Sequence, residues 1–318
     1  MKLQVGSLIY TGFLEAHVRT SMDTLFDEFR FVSINRWGGD TAKGIRLGDD
    51  CTVLTPDDEP LVSGFVNGIS VPIDGNLTIS GHDRTFDLIS STIDGTGEFK
   101  GLTVKQIAEA ICSPFGISVS GDAPQAIDVY RYGQNETAAD VLRDLCARHG
   151  LICNADGNGD LKIEQIPTTT RATLQLIEGK NIIGGSATLG EVRPSSVKML
   201  GQNRTANASS TATGGAGRNR PKTIIQSGNI TSGQATTGAS WAASISQPDA
   251  YQFTVSGLYN ERPNRLMWVE VPTAGVTGQL LIRSILWRMV PRGGHETVFD
   301  LINPAAYGGE ETKNDWIA

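Results

Sequence analysis

The sequence predicts a multidomain α+β protein that is mainly β, with a small α/β module set between two β-rich regions. Three observations carry that prediction. Short runs in which apolar and polar residues alternate recur along most of the 318 residues, each bounded by Gly, Pro, Asn or Asp. Charged residues make up only 19% of the chain and glycines number 37, a balance that suits strands and turns and argues against a helical bundle. One central zone abandons the alternation and takes up helical spacing. A chain of this length can bury two or three separate cores.

From residue 3 to about 93 the pattern is strand and turn. Residues 13–19 and 28–34 flank the polar segment SMDT, and 49–54 and 61–71 enclose TPDDEP, whose Pro and Asp residues suit a hairpin. Residues 76–80 add a strand. GHDRTFDLISSTI then switches to helical spacing, with Asp83 placed to cap it, so this unit reads as a β-barrel or sandwich closed by a helix.

The period changes at 102–166. LTVKQIAEAIC puts Leu102, Ile107, Ala110 and Ile111 at helical spacing, Thr103 can cap it, and SPFG ends it. Strands are expected at 117–119 and 127–130. NETAADVLRDLCARHG is the strongest helix in the chain, with Asn135 as its expected cap and Ala138, Val141, Leu142 and Leu145 as its buried stripe. The region after residue 168 is again β-rich. Within it, 201–221 is dominated by Gly, Ala, Ser, Thr and Asn and reads as a flexible excursion. ATTGASWAASIS is weakly helical, YQFTVSGL, RLMWVEVPTA, LLIRSILWRMV and ETVFDLINP alternate as strands, and GGEETKNDWIA reads as a loose polar tail. The expected division is 1–93, 94–175 and 176–318.

The sequence names few residues for chemistry. Asn154, Asp156 and Asn158, with Gly159 at the sixth place, resemble the first half of a calcium loop, but the twelfth place is Gln165 and Pro167 follows where a helix should begin. A hairpin turn between 151–153 and 160–165 fits better. His82, Asp83 and Arg84 stand together, yet adjacent residues rarely converge on one substrate and no nucleophile motif accompanies them. Asp49, Asp50, Asp57, Asp58 and Glu59 suit a solvated hairpin end better than a cation site. His17, His149 and His295 are scattered, with His149 in a last helical turn where positive charge is favoured.

Neither GGD (38–40) nor GGSATLG (184–190) leads into a helix that could cradle phosphate. Cys51, Cys112, Cys146 and Cys153 lack zinc spacing and read as reduced thiols, as in a cytoplasm. The expectation is therefore no catalytic, cofactor or metal site and no enzyme. MKLQVGSLIYTGF has no long apolar core, and the apolar run LLIRSILWRMV is too short to cross a bilayer, so neither an export signal nor stable membrane insertion is expected. The net charge of −7 and pI near 5.2 disfavour direct recognition of nucleic acid.

The order of segments carries a resemblance. SGFVNGISVPIDGNLTISGHDRTFDLISSTI, then GLTVKQIAEAICSPFGISVSGD, then GQNETAADVLRDLCARHGLICNADGNGDLKIEQ, then IEGKNIIGGSATLGEVRPSSVKMLGQN and LLIRSILWRMVPRGGHETVFDLINPAAY together resemble the baseplate hub of contractile-tailed bacteriophages. Mu-like phages and the late control protein D family share that arrangement. The resemblance covers nearly the whole chain, and its most specific part is the ETAADVLRDLCARHGL helix with the turn and strand that follow.

It implies a structural virion protein of the tail baseplate, assembled in the host cytoplasm. It also implies a homotrimer with two tube-like β-barrel domains per chain, one in 1–93 and one in 176–318. Such a ring joins a sixfold tail tube or distal tube protein to a threefold membrane-puncturing spike, contacts other baseplate proteins, and lets DNA pass through its lumen without specific binding. A mildly acidic lumen wall would serve that passage. Two other classes compete: a tail-associated cell-wall hydrolase, which needs paired carboxylates or Cys/His in a cleft, and a carbohydrate- or receptor-binding tail protein, which needs an aromatic platform. Trp37, Trp241, Trp268, Trp287 and Trp316 are dispersed and suit cores better than a platform.

Overall fold

The computed structural model describes residues 1–34, 44–73, 76–166, 169–190, 195–201, 207–210, 219–226, 235–236, 238–239, 242, 249–290, 294–307 and 312–315. The chain opens with seven strands: β1 (Lys2–Val5), β2 (Leu8–Tyr10), β3 (Glu15–Ser21), β4 (Glu28–Ser33), β5 (Asp50–Leu54), β6 (Pro60–Ser70) and β7 (Leu77–Asp83). They pair antiparallel in the order β2-β1-β5-β6-β7-β4-β3. The period-two pattern of the sequence explains which face is inside: Ala16 and Val18 of β3 and Phe29 and Phe31 of β4 are buried, while His17, Arg19, Glu28 and Arg30 between them are exposed.

The central module follows, with α1 (Asp87–Ser90), β8 (Glu98–Thr103), α2 (Val104–Cys112), β9 (Val119–Gly121), β10 (Ala126–Arg131), α3 (Ala138–Arg148), β11 (Leu151–Ala155) and β12 (Leu161–Gln165). Two small sheets, β8-β10 and β11-β12-β9, accompany the helices. Ile107, Ile111, Val141, Leu142 and Leu145 bury the helical faces in a core of their own, which also takes in Leu161 and Ile163. All four cysteines are buried free thiols, and Cys112, Cys146 and Cys153 belong to this core.

Beyond it lie β13 (Arg171–Ile177), β14 (Ile182–Thr188), β15 (Ser196–Gly201), β16 (Asn207–Ser210), β17 (Pro221–Gln226), β18 (Ala250–Ser256), β19 (Leu266–Val271), β20 (Val276–Val290) and β21 (Gly294–Ile302). Strands 15 to 17 form a separate sheet in the order β16-β15-β17. The others join the N-terminal strands in one sheet of thirteen, in which β14-β18-β21-β20 leads directly into β3 and β19 links β13 to β20.

The long strand β20 makes that junction. Its first part pairs with β19 (Leu266↔Leu281, Val271↔Val276) and its second part with β3 (Ser284↔Ser21, Met289↔Ala16). A register shift against β21 between Ile282 and Ser284 marks the change of partner. One core crosses this seam, from Leu3, Phe31 and Val53 to Tyr251, Phe299 and Trp287.

Several expectations need correction. The helix after GHDRT spans only Asp87–Ser90, after a 3-10 turn that Asp83 does cap, and Leu88 packs into the module's core instead of closing the first β unit. Leu102 lies in β8, paired with Ile127, because Thr103 ends that strand and starts α2 through a reciprocal capping box with Gln106. Thr137, not Asn135, caps α3: a bridge to Thr92 holds its backbone extended two residues later, and its side chain accepts from the Asp140 N–H.

The 175/176 boundary falls inside β13. The 201–221 excursion contains β16 and the start of β17, while 202–206 and 211–218 lie outside the described residues. Of ATTGASWAASIS only Ala235, Thr236, Gly238, Ala239 and Ala242 are described, and all five are helical. The polar tail is tied down where it is described. Asn314 is buried, and its side-chain amide donates to the Tyr251 hydroxyl (3.0 Å) and the Ala274 carbonyl (3.1 Å).

Candidate functional site

The calcium-like stretch is a turn between β11 and β12, paired Ala155↔Leu161. Its aspartate oxygens serve its own backbone and the segment leading into β9. Asp156 Oδ1 accepts from the N–H groups of Asn158 (2.8 Å) and Asp160 (3.2 Å), and Asp160 Oδ1 accepts from Ser118 N–H (2.9 Å). Among the described residues no group of three His, Cys, Asp or Glu side chains could hold a metal ion.

The turn's glycines have a second use. Gly157 (φ +89°) and Gly159 (φ +85°) need the left-handed region, and a Cβ on Gly157 would fall 2.0 Å from Arg262 Nη2. One on Gly159 would fall 2.7 Å from the Ser63 carbonyl oxygen. The turn is thus pressed onto the β body.

GHDRT does not converge. His82 faces outward, stacked on Phe86 with ring centroids 4.1 Å apart, and Arg84 reaches Asp50 at 3.6 Å. Asp83 points inward with 1% exposure, accepting from Asp27 N–H (2.9 Å) and Thr85 N–H (3.1 Å). That burial exposes what the sequence did not reveal. Asp27, 2% exposed, lies beside Asp83, and its Oδ2 faces Arg262 Nη1 at 3.6 Å. Neither of those two atoms has a hydrogen-bond partner. Arg262 Nη2 donates to the Leu61 carbonyl (2.9 Å), and the guanidinium lies 5.8 Å from the Trp287 ring centroid.

Burial lifts the Asp27 carboxyl to about 6 against the pull of Arg262, and burial together with the Asp27 charge raises Asp83 well above the usual range. Around this corner the module and the β body interlock. Leu25, from the β3–β4 loop, sits in the module's core, and Thr85 Oγ1 donates to its carbonyl (2.7 Å). Ile152 and Ile166 of the module pack with Met22, Leu281 and Ile302 of the body.

The second feature is the outer face of the continuous sheet. Cross-strand register aligns His82, Glu28, Arg19, Leu286, Val298 and Thr254 in one row across β7, β4, β3, β20, β21 and β18. The adjacent row is Ser80, Arg30, His17, Arg288, Glu296 and Ser256. Arg288 pairs with Glu296 at 2.6 Å. Part of this face forms a groove of about 570 Å³ that also takes in Gln252 and Asp300. Arg19, Arg30 and Arg288 share this face with Glu28, Glu296 and Asp300, so the wall is mixed in charge.

A third feature is apolar. Leu8 (57% exposed), Ile34 (51%), Leu47 (65%), Val71 (62%) and Ile73 (103%) lie where β1, β4 and β6 end and β2, β5 and β7 begin, at one end of the N-terminal strands.

The other candidates disperse. Asp49 and Asp50 stand at the start of β5 and Asp57, Asp58 and Glu59 beyond its far end. Asp49 accepts from Arg46 N–H (2.7 Å), Asp58 pairs with Lys2 (2.7 Å) and Glu59 accepts from Asn260 (3.2 Å). His149 does end its helix, but burial and the neighbouring Arg148 charge lower its pKa, which disfavours the positive form expected there. Trp287 is fully buried and Trp268 is 40% exposed, while Trp37, Trp241 and Trp316 lie outside the described residues. Among the described residues no helix is long and apolar enough to cross a membrane.

Residues 85–165 match the family described as "Baseplate hub protein gp44-like, second domain". That span is the module, entered at the residue after Arg84. The chain is 23% identical over 190 residues to the baseplate hub protein gp44 of Escherichia phage Mu, covering 57% of this chain and 49% of that protein, so the match spans about half of the relative's length. The fold is similar to the 43 kDa tail protein of prophage MuSo2 from Shewanella oneidensis, with TM-score 0.85, 25% identity, and 96% and 99% of the two chains covered. It is also similar to a tail protein from Neisseria meningitidis MC58, with TM-score 0.80, 17% identity, and 99% and 96% covered.

Proposed function

From a chain that is similar to a phage baseplate hub and carries a hub-like second domain, we propose a trimeric central hub that joins the tail tube to the puncturing spike and encloses part of the DNA channel. The observation that carries this reading is β20. By pairing with β19 and then β3, it joins the two β regions of one chain into an unbroken wall. We read those regions as two tube-like barrels, with the 85–165 module projecting beside them. Three chains then present six barrel units, which match a sixfold tube on one side and a threefold spike on the other.

The outer face of the wall is the surface we assign to the lumen. Arg19, Arg30 and Arg288 on it are balanced by Glu28, Glu296 and Asp300. On this assignment the lumen wall is charge-balanced rather than acidic, and phosphates find no continuous basic track on it. The apolar end carrying Leu8, Val71 and Ile73 suits a protein partner along the tail axis, for which the tube or spike is the assignment.

The mass of the purified chain tests the reading. Native mass spectrometry at micromolar protein is expected to give a trimer near three times 34.0 kDa. A strict monomer across the accessible concentration range contradicts it.

A further inference from the structure

We propose that the corner where the module meets the β body is a proton-linked latch, in which the buried Asp27–Asp83 pair takes up a proton when Arg262 and the 156–160 turn close over it. The geometry supplies the reason. Two carboxylates are buried side by side, the Asp27 N–H donating to Asp83 Oδ2 at 2.9 Å and the Asp83 N–H to the Asp27 carbonyl at 3.1 Å, with one guanidinium to neutralise them. Closed and fully ionised, the corner holds more negative than positive charge away from water, and one proton removes the excess.

The groups that face the pair come from every element around it. Thr20 on β3 hydrogen-bonds to Asp27, and the Thr85 N–H donates to Asp83 from the 3-10 turn. Arg262, with Arg265 behind it, approaches from the segment before β19, and Asp156 approaches from the module's turn. The Asp156 charge adds to the excess, and only Arg262 opposes it directly. Opening this corner re-hydrates Asp27 and Asp83 and releases the proton. The apolar contacts of Leu25 and of Ile152 and Ile166 are independent of pH, so the opening is local to the charged corner.

The sign follows from linkage. The closed-state value of Asp27, about 6, lies above its ordinary value of 3.8, so proton uptake favours closure fully below pH 3.8 and the gain is lost as pH rises through 6. Between pH 8 and pH 5 those two values make closure about ten-fold more favourable. Asp83 shifts in the same direction.

Hydrogen exchange on the full chain at pH 5 and pH 8, each amide corrected for its intrinsic rate, tests this. Protection of the Asp27 and Asp83 amides, which bond across the corner, is expected to be about ten-fold higher at pH 5, with the Leu3 and Val53 amides unchanged as controls. The double variant Asp27→Asn/Asp83→Asn is expected to remove the difference. Equal protection of the corner in the unmodified chain at the two pH values overturns the latch whether or not the variant folds. So does a difference that survives in the folded double variant, or one shared by the control amides.

Discussion

Replacing Trp287 with alanine is expected to destabilise the chain by about 3–5 kcal/mol, the range for removing a fully buried large aromatic side chain. Trp287 has no exposed surface and sits on β20 opposite Val18 of β3 and Thr297 of β21. Its Nε1–H donates to the Tyr259 carbonyl at 2.7 Å, so the alanine variant also loses that bond and leaves the carbonyl with the Glu261 N–H as its donor. The cavity opens at the seam where the two β regions share their core, and relaxation on one side costs register on the other. Trp287→Phe keeps most of the ring and loses the hydrogen bond, so about 1–2 kcal/mol is expected. Urea denaturation monitored by circular dichroism distinguishes the two. Equal, small losses for both variants would show that the seam is not a shared core.

Arg262→Ala is expected to cost about 3 kcal/mol at pH 7.5, the low end for breaking a buried ion pair, because Asp27 can escape an unpaired charge by taking up a proton. The variant also removes the donor to Leu61 and the surface against which Gly157 packs. Its cost should shrink at pH 5, where Asp27 already carries the proton and Arg262 has less charge to neutralise. Denaturation midpoints at the two pH values measure this. A cost below about 1 kcal/mol that does not change with pH would mean that Arg262 is a packing residue alone. Because the guanidinium also lies over Trp287, the two substitutions should not be additive.

Much of the strand pattern was legible because it is local. In β3 and β4 the alternation of Ala16, Val18, Phe29 and Phe31 with charged residues names the inner face directly. The helix starts were legible only in part. Thr137 displaced Asn135 because a bridge to Thr92, a contact distant in sequence, fixed its backbone. The tail was misread because polar composition predicts exposure, whereas Asn314 is buried by what its amide can donate to. The closing helix was misassigned for a related reason: Leu88 has the same spacing whichever core receives it.

The joint was illegible altogether. Asp27 in TLFDEF and Arg262 in YNERPNRL are each an ordinary polar residue in a loop, and only the fold brings them to 3.6 Å. The turn after α3 was read correctly as a turn. Its function in pressing Gly157 onto Arg262 depends on where the module docks, which no local pattern encodes.

The most direct test of the hub assignment is cryo-electron microscopy of tail particles assembled with this chain, reconstructed without imposed symmetry around the tube–baseplate junction. Density for three copies encircling the tail axis, with the face bearing Arg19, Arg30 and Glu28 toward the lumen, is the predicted result. Particles that complete the junction without this chain, or that carry it only at the periphery, would contradict the account.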